Sequence, residues 1–261
     1  SMVFLVLQPE RLEVERFLTA TALICKLIYK LLLPFRMLPE IVWAMPKLGT
    51  FNLHGSLLPK YRGAAPINWA IIKGEIETGV TTFFLQQEID TGDILFQEKM
   101  LIEENDTAGD VHDRMMLLGA KVVLKTVQSV ETQTIKPIPQ NDNFAVLAPK
   151  IFHETCEINF EDSTQKVYNF IRGLSPYPAA WTTLDGLELK IIQTTKLLEP
   201  HNLIAGSVVT NDKHFIRIAT NDGFIEVHEL QLQGRKRMKT KEFLNGYKIP
   251  PETQLKQHGR K

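Results

Sequence analysis

Apolar residues recur at two different spacings in this chain, and the change from one to the other beyond residue 133 limits the folds open to it. Between Pro39 and Gln97 short apolar runs alternate with helical patterns. Thr50–His54 and residues 80–86 read as strands, and residues 65–73 as a helix. In Ala108–Glu131 the side chains of Val111, Met115, Leu118, Val122, Val123 and Val127 fall on one helical stripe, which predicts a long amphipathic helix. Strand, helix, strand, helix predicts an α/β unit with a largely parallel sheet. Residues 134–149 carry Pro137, Pro139 and Pro149 with Asn141-Asp142-Asn143, a composition suited to a linker. Beyond it the spacing shortens: residues 187–194, 206–210, 215–219 and 223–232 are β-rich runs split by Asp-Gly and Asn-Asp turn signals. Only residues 164–173 look helical there. This half is expected to be a small all-β barrel of the OB type.

The chain of 261 residues has room for two such domains, with expected boundaries at 1–132, 133–149 (linker) and 150–261. A hydrophobic share of 44% against 23% charged residues fits a globular chain and argues against disorder. Thirty basic and thirty acidic residues cancel, so no global field draws it to a polyanion. The charge is unevenly placed. From Arg235 onward nine basic residues stand against Glu242 and Glu252, which gives +7 there and −7 in the remainder. Such a segment is either a solvated basic end or a polyanion-binding surface. Cys25 and Cys156 form no disulfide framework, and no Cys/His spacing suggests a metal, so none is expected. Residues 20–35 are apolar but interrupted by Lys26 and Lys30, too short and too charged to span a bilayer. The opening apolar stretch runs straight into Glu10, Arg11 and Glu13, unlike a signal peptide, so a cytoplasmic protein with no membrane partner is expected.

Alternate residues of a strand share a face, so Asn52 and His54 should point together while Phe51 and Leu53 face the opposite layer. The strand then enters Gly55-Ser56-Leu57-Leu58-Pro59, at the carboxyl end where open α/β sheets bind ligands. The next strand leads to Glu88-Ile89-Asp90-Thr91-Gly92-Asp93, which brings a carboxylate to the same end. An amide, an imidazole and a carboxylate suit acyl transfer to an amine. Asn52 can donate to an oxyanion, His54 can polarise the acyl oxygen or move a proton, and Asp90 can accept the amine's proton. By residue type and spacing alone, a polar residue at a strand end and an ordinary turn account for the same pattern.

The run FNLHGSLLPKYRGAAPINWAI (51–71) resembles the signature of the folate-dependent formyltransferases, and EIDTGDIL (88–95) resembles their second loop. The resemblance implies that Asn52, His54 and Asp90 are the catalytic trio. It implies that Ser56, Leu57, Leu58 and Pro59 bind tetrahydrofolate. By the same likeness Phe35, Arg36, Met37 and Leu38 line the pterin pocket, with Gln87, Glu88 and Ile89 closing its other side. KIFHETCEINF (150–160), IRGLSPYPAAW (171–181) and LQLQGRKRMKTKEFLNG (230–246) are similar to the second domain of the methionyl-tRNA formyltransferases, which implies tRNA binding by Arg235, Lys236, Arg237, Lys239 and Lys241. The implied reaction moves the formyl group of 10-formyltetrahydrofolate to initiator methionyl-tRNA, catalysed by a monomer. Two rivals accompany it: formyl transfer to a nucleotide sugar, and a non-catalytic remnant that still binds tRNA.

The resemblance thins before Phe35. Family members carry more sheet-forming sequence ahead of that position, so the chain is expected to lack the first strands of a Rossmann-like half. Residues 20–34 depart from the strand expected to feed the pterin loop. A reading-frame slip within residues 23–35 would account for the departure.

Overall fold

The computed structural model describes residues 30–32 and 40–255. Phe35, Arg36, Met37 and Leu38 lie outside the described residues, as does the stretch 20–34 apart from Lys30–Leu32. The chain divides into two compact units. One gathers the described residues up to 66 with 77–101 and 113–149; the other gathers 67–76, 102–112 and those from 150 onward.

In chain order the elements are β1 (Lys30–Leu32), α1 (Glu40–Trp43), β2 (Thr50–His54), β3 (Arg62–Gly63), α2 (Pro66–Ile72), β4 (Glu77–Phe84), β5 (Ile94–Leu101), α3 (Ala108–Glu131) and β6 (Leu147–Ala148). There follow α4 (Thr164–Leu174), β7 (Ala180–Leu184), β8 (Leu187–Leu197), β9 (Val208–Thr210), β10 (Ile216–Ala219), β11 (Phe224–Leu232), β12 (Met238–Lys239) and α5 (Thr240–Gly246).

In the first unit the described sheet runs β1-β2-β4-β5. β1 lies parallel to β2, whereas β2–β4 and β4–β5 are antiparallel, so within this sheet the expected parallel pairing holds at one place. The reason is a strand the sequence reading passed over. In β5 Gln97, Lys99 and Leu101 are exposed while Leu95 is buried, as suits a strand at the end of the described sheet, and it folds straight back on β4 as a hairpin. β2 and β4 are buried on both faces. The core beneath them is Phe51, Leu95, Val123 and Val127, with Leu53, Phe84, Phe96 and Ile135 against it. Each such side chain contributes about 1.5–3 kcal/mol when fully buried. On α3 the stripe residues Val111, Met115, Val122, Val123 and Val127 are buried as predicted, Leu118 is only partly buried, and Val130 extends the buried face. Its first turn is closed by a capping box: the Asp110 carboxylate accepts from the Thr107 N–H and hydroxyl, and the Thr107 oxygen accepts from the Asp110 N–H. Residues 133–149 pack on the first unit, with β6 parallel to β3 and Ile138 bridged to Ile94.

In the second unit β7-β8-β11-β10-β9 form an antiparallel sheet, with β12 added to β11. β7 and β8 join through Asp185-Gly186, both at positive φ, a two-residue turn whose twist matches the strands. A bulge between Val227 and Glu229 bends β11 against β8 and helps curl the sheet. Inside the curl lie Ile191, Ile218, Ile225 and Leu230, fully buried, covered by Val167, Tyr168, Ile171 and Leu174 of α4. The short helix α5 begins within the basic run, carries Lys241 and buries Phe243 and Leu244. Its seven residues were too few to show a helical period in the sequence.

Candidate active site and basic surface

Asn52 and His54 leave β2 on the same face, as the alternation required, and both are buried, at 3% and 7% exposure. Asp90 sits in the loop between β4 and β5, and its Oδ2 lies 3.6 Å from Nδ1 of His54. The structure therefore brings the three sequence-predicted residues to one place.

Two backbone groups that the sequence did not reveal fix this arrangement. His54 donates Nε2–H to the Tyr61 carbonyl at 2.7 Å. In the neutral imidazole that leaves Nδ1 with its lone pair toward Asp90. The Gly63 N–H donates to Asp90 Oδ2 at 2.9 Å. Two acceptors thus converge at a separation longer than a hydrogen bond, an arrangement that receives a donor such as an amine N–H. Gly63 itself requires glycine: φ is +123° and a Cβ would meet the Ala148 carbonyl oxygen at 2.6 Å. The Oδ1 position of Asn52 is buried without a hydrogen-bond partner in the protein. A half-turn of the amide puts Nδ2 there, so the position can offer a donor to a developing oxyanion.

The residues expected to hold folate fall into two groups. The Ser56 hydroxyl is fully buried and donates to the Lys60 carbonyl at 2.6 Å, and Leu58 is buried too. Their side chains shape the loop. Leu57 and Pro59 are partly exposed, and the loop is pinned to β4 by Thr81 Oγ1, which donates to the Ser56 carbonyl and accepts the Leu58 N–H. Gln97 Nε2 ties down the Leu58 carbonyl at 2.7 Å. Gln87, Glu88 and Ile89 stand exposed on the loop that bears Asp90.

In the second unit Arg235, Lys236, Arg237, Lys239 and Lys241 are all exposed. They are not equivalent. Arg237 pairs with Glu229 at 2.5 Å, which holds the Glu229 carboxyl below its usual range and raises the Arg237 guanidinium in return. Arg235 lies 5.9 Å from the Tyr247 ring. Burial and a hydrogen bond to Asp185 push the Tyr247 hydroxyl up to about 12. Lys236 and Lys241 form no ion pair among the described residues. Among those residues no group of acidic, histidine or cysteine side chains is arranged to hold a metal, and no helix is long and apolar enough to cross a membrane.

Residues 19–127 match the formyl transferase family, and residues 150–248 match the formyl transferase C-terminal domain. A methionyl-tRNA formyltransferase of Bacteroides thetaiotaomicron is 52% identical over 252 residues, covering 93% of this chain and 78% of that protein. Among solved structures, HypX from Aquifex aeolicus in complex with tetrahydrofolic acid superposes with a TM-score of 0.66 at 22% identity, over 86% of this chain and 39% of that one. An N-formyltransferase from Helicobacter canadensis, in complex with folinic acid and dTDP-3-aminofucose, gives a TM-score of 0.62 at 25% identity, over 76% of this chain and 72% of that one.

Proposed function

The chain belongs to the methionyl-tRNA formyltransferase family, and on that premise we propose that Asn52, His54 and Asp90 carry the transfer of a formyl group from 10-formyltetrahydrofolate to the α-amino group of initiator methionyl-tRNA. The observation that carries the reading is the close approach of Asp90 to His54 beside a buried, unpartnered amide, within a chain 52% identical to an enzyme of that name.

The neutral α-amino nitrogen attacks the formyl carbon and pushes an electron pair onto the carbonyl oxygen. An α-amino group with a pKa of about 8 supplies a useful neutral fraction near neutral pH. The Asn52 amide donates to the oxyanion, while His54 Nδ1 accepts an N–H of the attacking amine and orients its nitrogen toward the formyl carbon. Asp90 accepts the proton released by the attacking amine. When the intermediate collapses, the bond to the folate nitrogen breaks, and that nitrogen leaves with the proton Asp90 had taken. Charge and protons balance, and the formyl group ends on the amino acid.

Leu57 and Pro59 with Gln87, Glu88 and Ile89 offer the exposed surface on which the folate would rest; Phe35, Arg36, Met37 and Leu38 would complete it. The curled sheet, read as an OB-like barrel, would hold the tRNA through Arg235, Lys236, Arg237, Lys239 and Lys241. A cytoplasmic site of action follows from this substrate. The test is a formyl-transfer assay with charged initiator tRNA and the folate donor. Product only with an amino sugar nucleotide would overturn the tRNA reading.

A further inference from the structure

A partly buried hydrogen-bond network stands behind the Asp90 loop, and the chemistry above does not use it. Gln140 Nε2 donates to two carbonyls of that loop, Asp90 O at 2.9 Å and Gly92 O at 2.7 Å. Its Oε1 accepts from Arg62, from Nε at 3.1 Å and from Nη2 at 2.7 Å. Arg62 is 9% exposed, and its Nη2 also donates to Asp142 Oδ1 at 2.7 Å. The orientation of the Gln140 amide is therefore forced. Turned over, it would set an oxygen against two carbonyls and an N–H₂ against a guanidinium.

What this network grips is the backbone on which the Asp90 carboxylate is mounted. Asp90 has a φ of +57°, in the left-handed region that few residues other than glycine, asparagine and aspartate adopt. Gly92 leaves no latitude on the other side, since a Cβ there would meet the Phe84 carbonyl oxygen at 1.6 Å. Between these two constrained positions the carboxylate must meet the Gly63 N–H and stand opposite His54.

We propose that Gln140, supported by Arg62, is a positioning residue for the formyl transfer: it clamps the carbonyls of Asp90 and Gly92 and so aims the Asp90 carboxylate at the space before His54. This rests on the reading of Asp90 as the proton acceptor. It gives residues 133–149, whose composition suits a linker, a part in the reaction although none of their side chains touches the reacting atoms.

The test uses the full chain and two variants. Gln140→Met keeps the length and removes every polar contact. Gln140→Glu keeps the acceptor for Arg62 and removes both donors, so it carries the test should the methionine variant fail to fold. The expected result is a fall in kcat of about 10- to 100-fold with the KM for both substrates within about twofold, because aim is lost and binding is not. In combination with Asp90→Asn no further loss is expected, since Gln140 acts through Asp90. Amide hydrogen exchange at Gly63 should speed up relative to the β2 amides, a reading that needs no turnover. Losses that multiply in the double variant, or an unchanged Gly63 exchange rate in both single variants, overturn the proposal. Near-normal turnover of Asp90→Asn would instead remove the proton role of Asp90, and Gly63 exchange would still decide whether Gln140 holds that carboxylate.

Discussion

His54 and Asp90 face each other across 3.6 Å, and each is held by a backbone group from one short segment at the start of β3: the Tyr61 carbonyl takes His54 Nε2–H, and the Gly63 N–H reaches Asp90. Residues two apart in that segment thus set the separation of two side chains that come from different parts of the chain. Tyr61 pays for this with a φ of +61°, in the region that side chains avoid.

Function should separate from folding at this pair. Asp90→Asn keeps an oxygen for the Gly63 N–H, so a stability change within about 1 kcal/mol is expected. Turnover should fall by about 10²-fold or more, because the proton acceptor is gone. His54→Asn should behave alike. Steady-state formyl transfer and thermal unfolding on the same samples check both, and a variant that keeps near-normal turnover refutes the role of its residue.

Binding of tRNA should depend on salt in proportion to the cations that meet phosphate. Replacing Lys236, Lys239 and Lys241 together by alanine should reduce the slope of log affinity against log salt by about 2 to 3. Arg237→Ala should change it less, because that guanidinium is already paired with Glu229. An unchanged slope in the triple variant would move the tRNA surface elsewhere.

Glycine positions should sort by the space they leave. Gly92→Ala forces a Cβ onto the Phe84 carbonyl oxygen, and a loss of about 3 kcal/mol or more is expected. At Gly234 nothing lies within 4 Å of a Cβ, but φ is +77°, so the cost of Gly234→Ala should be about 1 kcal/mol. Denaturant unfolding of the two variants decides; equal losses would contradict the backbone geometry of the Asp90 loop.

Acid stability should carry a contribution from Asp222. Its Oδ1 accepts the Thr164 N–H and hydroxyl, each at 2.7 Å, and caps the start of α4, where the Ser163 side chain makes no cap bond. Those bonds hold the carboxyl below its ordinary value. A depressed folded value means stability that is present above the unfolded value near 4 and is lost as pH falls through the folded one. Asp222→Ala should cost about 1 kcal/mol at neutral pH, with the gap to the parent narrowing as pH drops below about 4. Melting curves at stepped pH test this, and a gap that does not vary with pH would rule it out.

What the sequence determined by itself is whatever rests on local periodicity and on chemically distinctive side chains in a row. The bounds of α3 were legible because its stripe repeats over 24 residues, and β2 was legible because Asn52 and His54 alternate with apolar neighbours. The basic run of 235–241 was visible as charge alone. Tertiary structure decided everything that depends on contacts distant in sequence. β5 was not legible because Gln97-Glu98-Lys99 interrupts its apolar residues and resembles a surface loop until β4 supplies its hydrogen bonds. α5 escaped because seven residues give no period. The clamp on Asp90 escaped most completely. Gln140 lies 50 residues from Asp90 and 78 from Arg62, in a stretch rich in proline and asparagine, and its importance comes from two carbonyls and a guanidinium. Backbone carbonyls have no sequence signature, so a residue whose partners are backbone groups can be found only where the fold has placed them.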